Sequence, residues 1–332
     1  MHRPIRIALK AIAIYAAVSL AVGIVMAELT LHPVQRRPPD TARIARLYAQ
    51  SGAELQAVSI HAADGAELRA WYSVSARDNG KAIILLHGIG DNRGGVAGYG
   101  QMFLQQGYRV LLPDSRAHGE SGGRLATYGL RENDDIHRWV SWLYDRGATC
   151  VDGFGESMGA ALVLESMRSE PRFCAVVADS PFSTFRSVAY DREGYFVGAG
   201  RLGLEPLVGR TIGLLPAEMA FTYARWRYGV DLTRANPLDA MKSSAIPVLL
   251  IHGEADINIL PRHLHPGASQ SRTHPVMACV GRSPRRSGLS CATGVLVSGA
   301  QLSCATRQPV PGRRGLRQLD SLRNLPRSNV VV

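Results

Sequence analysis

The sequence predicts an α/β fold, with a mostly parallel, doubly wound sheet, a helical cap insertion and an N-terminal membrane helix. Three observations predict it: an uncharged segment near the N-terminus, short apolar runs that alternate with helical stretches, and one aromatic stretch that interrupts the alternation. The chain has 332 residues, of which 46% are hydrophobic, so it can bury a sizeable core. This composition excludes a disordered tail or a fibrous repeat.

The first predicted element is a membrane helix. Residues 11–27 form an uncharged run that three basic residues precede. At about 1.5 Å per residue the run reaches across the hydrocarbon core of a bilayer, and it exceeds the apolar region of about 7 to 15 residues in a secretory signal peptide. A cleaved signal peptide is the competing interpretation, because residues 25–27 resemble a small-residue cleavage site.

We predict an uncleaved anchor over residues 1–31, a juxtamembrane linker over 32–54 and a globular core over 55–261. Arg3, Arg6 and Lys10 precede the span, and further arginines follow it. We expect a single-pass membrane protein with a short N-terminus inside and the globular core outside the cytoplasm.

The globular core is predicted to begin with a hairpin and to continue as a parallel sheet. Residues 55–61 and 68–74 alternate in polarity on either side of Asp64-Gly65, which favours an antiparallel pair. Unbroken apolar runs separated by helical stretches are typical of parallel strands buried on both faces. These runs cover residues 82–86, 109–112, 149–154, 173–178 and 246–251.

Two stretches between the strands predict helices. Over residues 133–146, apolar side chains recur at helical spacing, and Gly147 ends the pattern. Over residues 182–237, the alternation of strands and helices gives way to aromatic and glycine residues. We expect this second stretch to form a cap over the edge of the sheet.

The charge of the chain is concentrated at one end. The formal net charge is +11, but residues 262–332 hold 11 Arg, no Lys and a single acid, Asp320. A basic patch on the folded core is therefore not predicted, and nucleic-acid binding is excluded as a leading function. The five cysteines form no CxxC pair, so neither a zinc site nor a dense disulfide framework is indicated.

The strongest chemical motif follows the third buried strand. Residues 155–159 have the sequence Gly-Glu-Ser-Met-Gly, which fits the pattern GxSxG between a strand and a helix. Glycines on both sides allow a sharp, strained turn, and the helix N-terminus behind it favours developing negative charge. This placement predicts that Ser157 is a nucleophile.

Residues 55–261 resemble the α/β-hydrolase superfamily, close to bacterial membrane-anchored serine hydrolases of esterase-like and serine aminopeptidase-like type. Besides residues 155–159, three stretches match in order: His-Gly-Ile-Gly at 87–90, a run beginning Asp-Ser-Arg at 114–123, and His-Gly-Glu-Ala-Asp at 252–256. The resemblance implies hydrolysis of an ester, thioester or amide through an acyl-enzyme. It implies a small-molecule acyl substrate and no metal or organic cofactor, and it leaves the oligomeric state open.

The resemblance also assigns roles. The amides of Ile89 and Met158 would form the oxyanion hole, and Asp256 would orient the catalytic histidine. Glu254 is a competing acid, and Asp179 is a weaker one. The motif histidines, which are His87, His118 and His252, are interpreted as structural hydrogen-bonding groups rather than as the base.

The catalytic histidine is the point at which the sequence departs from the family. The chain order should be serine, acid, histidine, with the histidine after one more helix and strand. The later histidines are His263, His265 and His274, and none follows a strand-like run, although His274 precedes one at 276–280. No histidine is therefore assigned, and His274 is only a weak candidate.

The tail over residues 262–332 is predicted to be basic, of low order and unable to complete the sheet. Its lack of Lys and Glu and its abundance of Arg, Ser, Pro and Gly suggest that the reading frame changes near Pro261. Translation of the coding DNA in the other frames tests this hypothesis, which fails if no frame yields a Gly-His pair followed by an amphipathic helix. A genuine basic tail is the alternative.

Two other functions were weighed. A dinucleotide-binding dehydrogenase is excluded, because Gly88, Gly90 and Gly94 have the spacing GxGxxxG and the chain lacks a YxxxK motif. A catalytically impaired, membrane-tethered binding module with the same fold stays open, because no family-like histidine follows Asp256. A fluorophosphonate probe separates the two readings, since it labels only an activated serine.

Overall fold

The computed structural model describes residues 3–196, 203–253 and 256–263, and the backbone of residues 276–281. The helices in these ranges are α1 Arg3–Leu31, α2 Thr41–Ala49, α3 Ala97–Gln105, α4 Glu132–Asp145, α5 Met158–Ser166, α6 Phe185–Phe196, α7 Glu205–Gly209, α8 Leu214–Tyr228 and α9 Pro237–Lys242. The strands are β1 Gln56–His61, β2 Glu67–Val74, β3 Lys81–Leu86, β4 Arg109–Pro113, β5 Cys150–Glu156, β6 Phe173–Asp179, β7 Val248–Gly253 and β8 Val276–Gly281.

The strands form one sheet in the order β1-β2-β4-β3-β5-β6-β7-β8. Strand β2 is antiparallel to β1 and β4, and the strands from β4 to β8 pair in parallel. The predicted mostly parallel sheet is confirmed. Strands β4 and β5 lie on opposite sides of β3, so the order reverses there, and ligands bind at the carboxyl end of such a switch point.

Helices cover both faces of the sheet. In β3, Ile83 and Leu85 pack into the core cluster on the side of α3, and Ile84 and Leu86 pack into the cluster on the side of α4 and α5. Both sets of side chains are buried, which explains why the strand is apolar at every position. In α4, the apolar side chains at helical spacing are buried as predicted.

A helical insertion separates β6 from β7. It contains α6, α7, α8 and a short 3₁₀ turn at Leu232–Arg234, and α9 begins at Pro237, so the expected cap is helical. Its aromatic side chains join the main core, since Phe185 stacks on Tyr128 and contacts Phe221 with ring centroids 4.5 and 6.3 Å apart. The cap is therefore packed onto the hydrolase-like core rather than tethered beside it.

The prediction that residues 262–332 add nothing to the sheet is wrong for a short segment. Residues 276–281 form β8, which pairs in parallel with β7 in the register Val248↔Val276. A six-residue run satisfies the free edge of β7, because backbone pairing needs only a short extended segment. The strand-like run at 276–280 was visible in the sequence, but the composition of the tail around it argued against its joining the sheet.

The N-terminal helix α1 is long and apolar enough to cross a membrane, with a mean hydropathy of 2.1 in its most apolar stretch. Most of its surface is exposed, and its buried side chains lie four residues apart at Ser19, Gly23, Ala27 and Leu31. This narrow buried face packs along α8 of the cap.

A disulfide joins the neighbouring strands β5 and β6. It links Cys150 to Cys174, whose Cα atoms are 5.9 Å apart. The sequence did not predict this pair, because cysteines 24 residues apart show no pairing until the strands are aligned. Disulfides persist mainly in oxidising compartments.

Candidate active site

The turn between β5 and α5 places Ser157 in an uncommon backbone conformation. Its φ is 54° and its ψ is −114°, values that a non-glycine residue adopts only at a cost. Two backbone hydrogen bonds hold the turn: the Ser157 amide donates to the Asp179 carbonyl at 2.8 Å, and the Ala161 amide donates to the Ser157 carbonyl at 3.1 Å. The predicted sharp turn is therefore present at the carboxyl end of the sheet.

The glycines of the turn are required by close backbone contacts. A Cβ atom on Gly155 would lie 2.1 Å from the carbonyl oxygen of Gly159, and one on Gly159 would lie 2.2 Å from that of Leu86. These distances are shorter than any van der Waals contact, and the obstructing atoms belong to the backbone. The missing side chain of Gly155 lets β5 approach α5, and that of Gly159 lets α5 approach β3.

The loop after β3 lies beside the serine. A Cβ atom on Gly88 would lie 3.6 Å from the Cβ of Ser157, which places Ile89 in the same corner. Among the described residues, neither the Ile89 nor the Met158 amide donates to a protein acceptor. The Met158 amide lies at the N-terminus of α5, where the helix dipole favours an anion, and the Ile89 amide follows Gly88, which lies beside Ser157.

Asp256 lies in the turn after β7. One of its oxygens, Oδ1, accepts hydrogen bonds from the amides of Asn258 and Ile259 at 2.8 and 3.1 Å, so the side chain is held in a fixed position. The charge of Asp256 helps to raise the pKa of Glu156, which precedes Ser157 in the chain, and that of Asp179, which lies on the neighbouring strand. The structure thus brings the predicted acid to the same sheet edge as the predicted nucleophile.

Two further acids beside Ser157 were not predicted as a group. Desolvation and the nearby charges of Asp179, Asp91 and Asp256 raise the pKa of Glu156 to about 7. Burial and the charge of Asp256 raise the pKa of Asp179 to about 6, although it accepts hydrogen bonds from Ser180 and Tyr99. Both carboxyl groups therefore favour the protonated form more than an isolated carboxyl in water does.

A basic residue of the cap meets this acidic edge. Arg192 of α6 donates to the Asn258 side chain at 3.3 Å, and its guanidinium lies 5.5 Å from the ring of Tyr195. Burial lowers the pKa of Arg192, and the charge of Asp256 partly opposes that shift. Arg192 could not be recognised from the sequence, because its partner Asn258 comes from a distant part of the chain.

The three motif histidines are engaged in structural hydrogen bonds. The Ser115 amide donates to His87 Nε2 at 3.1 Å, His118 Nδ1 lies 2.9 Å from the Arg116 carbonyl, and His252 Nε2 donates to the Ile259 carbonyl at 2.8 Å. Burial lowers the pKa of all three, to about 4 for the first two. His252 also lies 3.7 Å from Asp256 Oδ2, which is too long for a hydrogen bond.

A different serine bonds a histidine. His263 is buried, and its Nδ1 accepts from the amide and the hydroxyl of Ser183 at 3.3 and 2.9 Å. An amide can only donate, so Nε2 must hold the ring proton, and it donates to Asp191 Oδ2 at 2.9 Å. Asp191 also pairs with Arg210 and Arg262, which ties the segment after Asp256 to the cap.

Other predicted positions fall outside the described residues. These are Glu254, the competing acid, and His265 and His274, the later histidines. Within the described ranges, no imidazole bonds to Ser157. The structure therefore brings together the serine, the two amides and Asp256, and it leaves the base unassigned.

The chain matches a known protein family over most of its globular core. The model of the alpha/beta hydrolase family matches residues 83–285, which is more than half of the chain. This chain belongs to the alpha/beta hydrolase family. The predicted resemblance is confirmed, and the match extends from β3 through β8, beyond the core boundary expected at residue 261.

Curated relatives of this hydrolase share its central region. The uncharacterized protein YqkD of Bacillus subtilis is 32% identical over 192 residues, which cover 56% of this chain and 58% of YqkD. Lysophosphatidylserine lipase ABHD12 of Rattus norvegicus is 27% identical over 210 residues, which cover 58% of this chain and 46% of ABHD12. The hydrolase thus spans about half the length of the curated relatives it matches.

Solved structures share the fold. The esterase Pf2001 of Pyrococcus furiosus has a TM-score of 0.58 at 24% identity, covering 76% of this chain and 90% of the esterase. The acylaminoacyl peptidase of Pyrococcus horikoshii has a TM-score of 0.51 at 15% identity, covering 69% of this chain and 37% of the peptidase. Hydrolases of different bonds are therefore built on this architecture, and the fold alone does not name the substrate.

Proposed function

We propose that this hydrolase is a membrane-anchored serine hydrolase that cleaves an ester, thioester or amide through an acyl-enzyme at Ser157. The observation that carries the proposal is the strained turn, with the serine beside the unused amides of Ile89 and Met158. A backbone held at positive φ costs about 1 to 3 kcal/mol, and such strain is concentrated at functional sites.

The reaction would proceed in two steps. Ser157 Oγ attacks the acyl carbon while a base takes its proton, and the carbonyl oxygen becomes an oxyanion held by the two amides. The leaving group departs with the proton, and water then releases the acid from the serine. Asp256 would orient the imidazole that serves as the base.

An ester is the favoured substrate class within this proposal. The cap supplies aromatic side chains, such as Tyr195 and Phe196, close to the loop that holds Asp256. An apolar, aromatic lining suits an acyl chain. Two similar proteins support this choice, since one relative is a lysophosphatidylserine lipase and one structural neighbour is an esterase.

The proposed location is a membrane, with a single span in α1 and the hydrolase domain outside the cytoplasm. Helix α1 supports the span by its length and hydropathy. The disulfide between Cys150 and Cys174 supports an oxidising compartment.

A hydrolysis assay with matched serine variants tests the proposed reaction. Purified full-length protein is assayed on p-nitrophenyl butyrate and on the corresponding anilide, together with the variants Ser157→Ala and Ser183→Ala. We expect ester hydrolysis that Ser157→Ala abolishes and Ser183→Ala preserves. Full activity in Ser157→Ala would refute the proposal, and loss only in Ser183→Ala would move the nucleophile to the serine that bonds His263.

A second candidate function is a binding module with an impaired site. It is favoured by one observation: within the described ranges no imidazole bonds to Ser157. Calorimetric titration with a non-hydrolysable acyl phosphonamide would then give binding without turnover. Comparison with a chain whose coding frame is restored after residue 261 separates the candidates, because only a serine hydrolase gains activity from the restored segment.

A further inference from the structure

The cap carries an exposed apolar corner at the turn between α7 and α8. Four large side chains there are exposed by 42 to 62%: Leu204, Leu207, Ile212 and Leu214. We name these four residues the cap corner. Contiguous exposed apolar surface on a soluble domain marks an interaction site.

The cap corner lies against the predicted membrane span. The hydroxyl of Tyr15 in α1 donates to the carbonyl of Ile212 at 2.7 Å. Near the other end of α8, Glu28 of α1 accepts from the hydroxyls of Tyr223 and Tyr228, both at 2.7 Å. Helices α1 and α8 therefore run parallel, and the corner lies at the level of Tyr15.

The contact between the two helices is of the kind found between helices in membranes. On α1 the buried face is Ser19, Gly23 and Ala27, and on α8 it includes Ala217, Ala220 and Ala224. A Cβ on Gly23 would lie 2.7 Å from the Pro216 carbonyl oxygen, so the backbones are in close contact. In lipid, where burial of apolar surface gives no driving force between helices, small residues permit this approach.

The position of the corner along α1 gives its depth. Tyr15 and Glu28 are 13 residues apart in one helix, which corresponds to about 20 Å along its axis. If Glu28 lies at the membrane boundary, a tilt of about 40° still leaves the corner about 15 Å deep, which is one leaflet of the hydrocarbon core.

Thr211 and Arg210, which flank the corner, have partners within the protein, whereas Ser19 Oγ and Glu193 Oε1 are buried without a partner among the described residues. The Thr211 hydroxyl donates to the Leu207 carbonyl at 2.8 Å, and the Arg210 guanidinium donates to Asp191, Ser187 and the Pro206 carbonyl. Backbone and side-chain polar groups without a partner cost several kcal/mol in hydrocarbon.

The far end of α8 has the residues of a membrane boundary. Trp226 is 80% exposed, and Arg225 and Arg227 flank it. Tryptophan and arginine favour the interface, where an apolar body and a polar end are both accommodated. The exposed side chains of α8 are thus apolar at its N-terminal end, and at its C-terminal end they are of the types found at a membrane interface. The C-terminal end of α1 lies at that same end of α8.

We propose that the cap corner is immersed in the bilayer leaflet next to the hydrolase domain, so that the cap is a membrane-inserted element. The partner of this surface is a lipid leaflet, because the corner is continuous with the exposed apolar face of α1. A second copy of the chain is the competing occupant. The proposal rests on the membrane span assigned to α1 under the proposed function.

Depth-dependent quenching of tryptophan tests the placement. In full-length protein with Trp226→Phe, Leu207→Trp reports on the corner, and Met102→Trp on α3, which is 41% exposed in the parent, is the matched control. Each is reconstituted into phosphatidylcholine and phosphatidylglycerol vesicles with bromine either deep in the acyl chains or near the headgroups. We expect deep bromine to remove more emission from the Leu207→Trp protein than headgroup bromine does, and the control to match the parent.

Flotation of the same vesicles distinguishes failure of the corner placement from failure of the proposed membrane anchor. Protein that floats after an alkaline wash but shows no extra quenching at position 207 overturns the corner placement and leaves the anchor in place. Protein that does not float overturns both. Ile212→Trp repeats the measurement in case the first variant does not fold, and crosslinks between copies at position 207 without quenching would assign the surface to a second chain.

Discussion

At the scale of single residues, the account depends on one strained serine and the two glycines that surround it. Ser157 has a positive φ, and close backbone contacts leave no room for a side chain at Gly155 or Gly159. The GxSxG pattern predicted this turn, because glycine is required where a Cβ atom would clash with the neighbouring backbone. The acids Glu156 and Asp179, with Tyr99 and Arg192, could not be predicted as neighbours, since only the aligned strands and the cap bring them together.

The glycine after Met158 offers a steric test. Gly159→Ala places a Cβ against the Leu86 carbonyl, so we expect a loss of at least about 2 kcal/mol in the free energy of unfolding. Gly253→Ala is the matched control, because nothing lies within 4 Å of its added Cβ. Denaturant titration in detergent measures both. Equal stability of the two variants would show that the turn is looser than described.

At the scale of elements, most strands were predictable because buried parallel strands are apolar at every position, as in β3. The hairpin and α4 were predictable from their period. The sequence shows a strand-like run at 276–280, but it did not predict that this run joins the sheet as β8, because pairing depends on the free edge of β7. The disulfide between β5 and β6 was hidden for the same reason: alignment of strands is a tertiary property.

Strand β5 contains a buried acid that makes stability depend on pH. Burial raises the pKa of Asp152 to about 7, although the Tyr108 hydroxyl and the Lys81 charge partly offset the shift. Its favourable contribution is complete below about pH 4, where the unfolded chain is also protonated, and is lost as the pH rises through 7. Relative to Asp152→Asn, the wild type should lose about 2 to 4 kcal/mol between pH 4 and 8.

Asp78 is the control for this titration, because its pKa is shifted in the opposite direction from that of Asp152. The hydrogen bonds and charge of Arg109 lower the pKa of Asp78, so its contribution is lost as the pH falls. Stability relative to the wild type, measured between pH 4 and 8 for Asp152→Asn and below about pH 5 for Asp78→Asn, should therefore change with pH in opposite directions. Parallel profiles would contradict the assignment of the Asp152 carboxyl.

The link between the cap and the segment after Asp256 is a cluster around Asp191. This buried carboxylate pairs with His263, Arg210 and Arg262. Asp191→Asn should cost about 1 to 3 kcal/mol, because it weakens the hydrogen bonds to His263, Arg210 and Arg262, although the two arginines keep part of their hydration. Glu67→Gln removes an exposed pair with Arg69 and should cost less than about 1 kcal/mol. A similar cost for both variants, in the same denaturant titration, would show that the cluster does not hold the cap.

At the scale of the whole molecule, the anchor and the cap form one unit. The sequence predicted the span from its length and composition, and it predicted the cap from its aromatic residues. It gave no sign that the two pack together, because the spacing of Ser19, Gly23 and Ala27 acquires meaning only against the alanines of α8.

Substitution at the contact between α1 and α8 tests whether packing against α1 stabilises the cap. Gly23→Leu adds a side chain that would clash with the Pro216 carbonyl and Met219, so α8 should exchange its amide hydrogens faster in vesicles. Val22→Leu, at a position 39% exposed, is the matched control and should leave exchange unchanged. Unaltered exchange in both variants would mean that the cap does not depend on the anchor.

The central claim is that Ser157 is an activated nucleophile, and covalent labelling tests it most directly. Folded full-length protein is treated with a fluorophosphonate probe, and the modified peptide is identified by mass spectrometry. The account predicts one adduct on Ser157, absent from Ser157→Ala and retained in Ser183→Ala. Folded protein that takes up no probe, or an adduct on Ser183 instead, would contradict it.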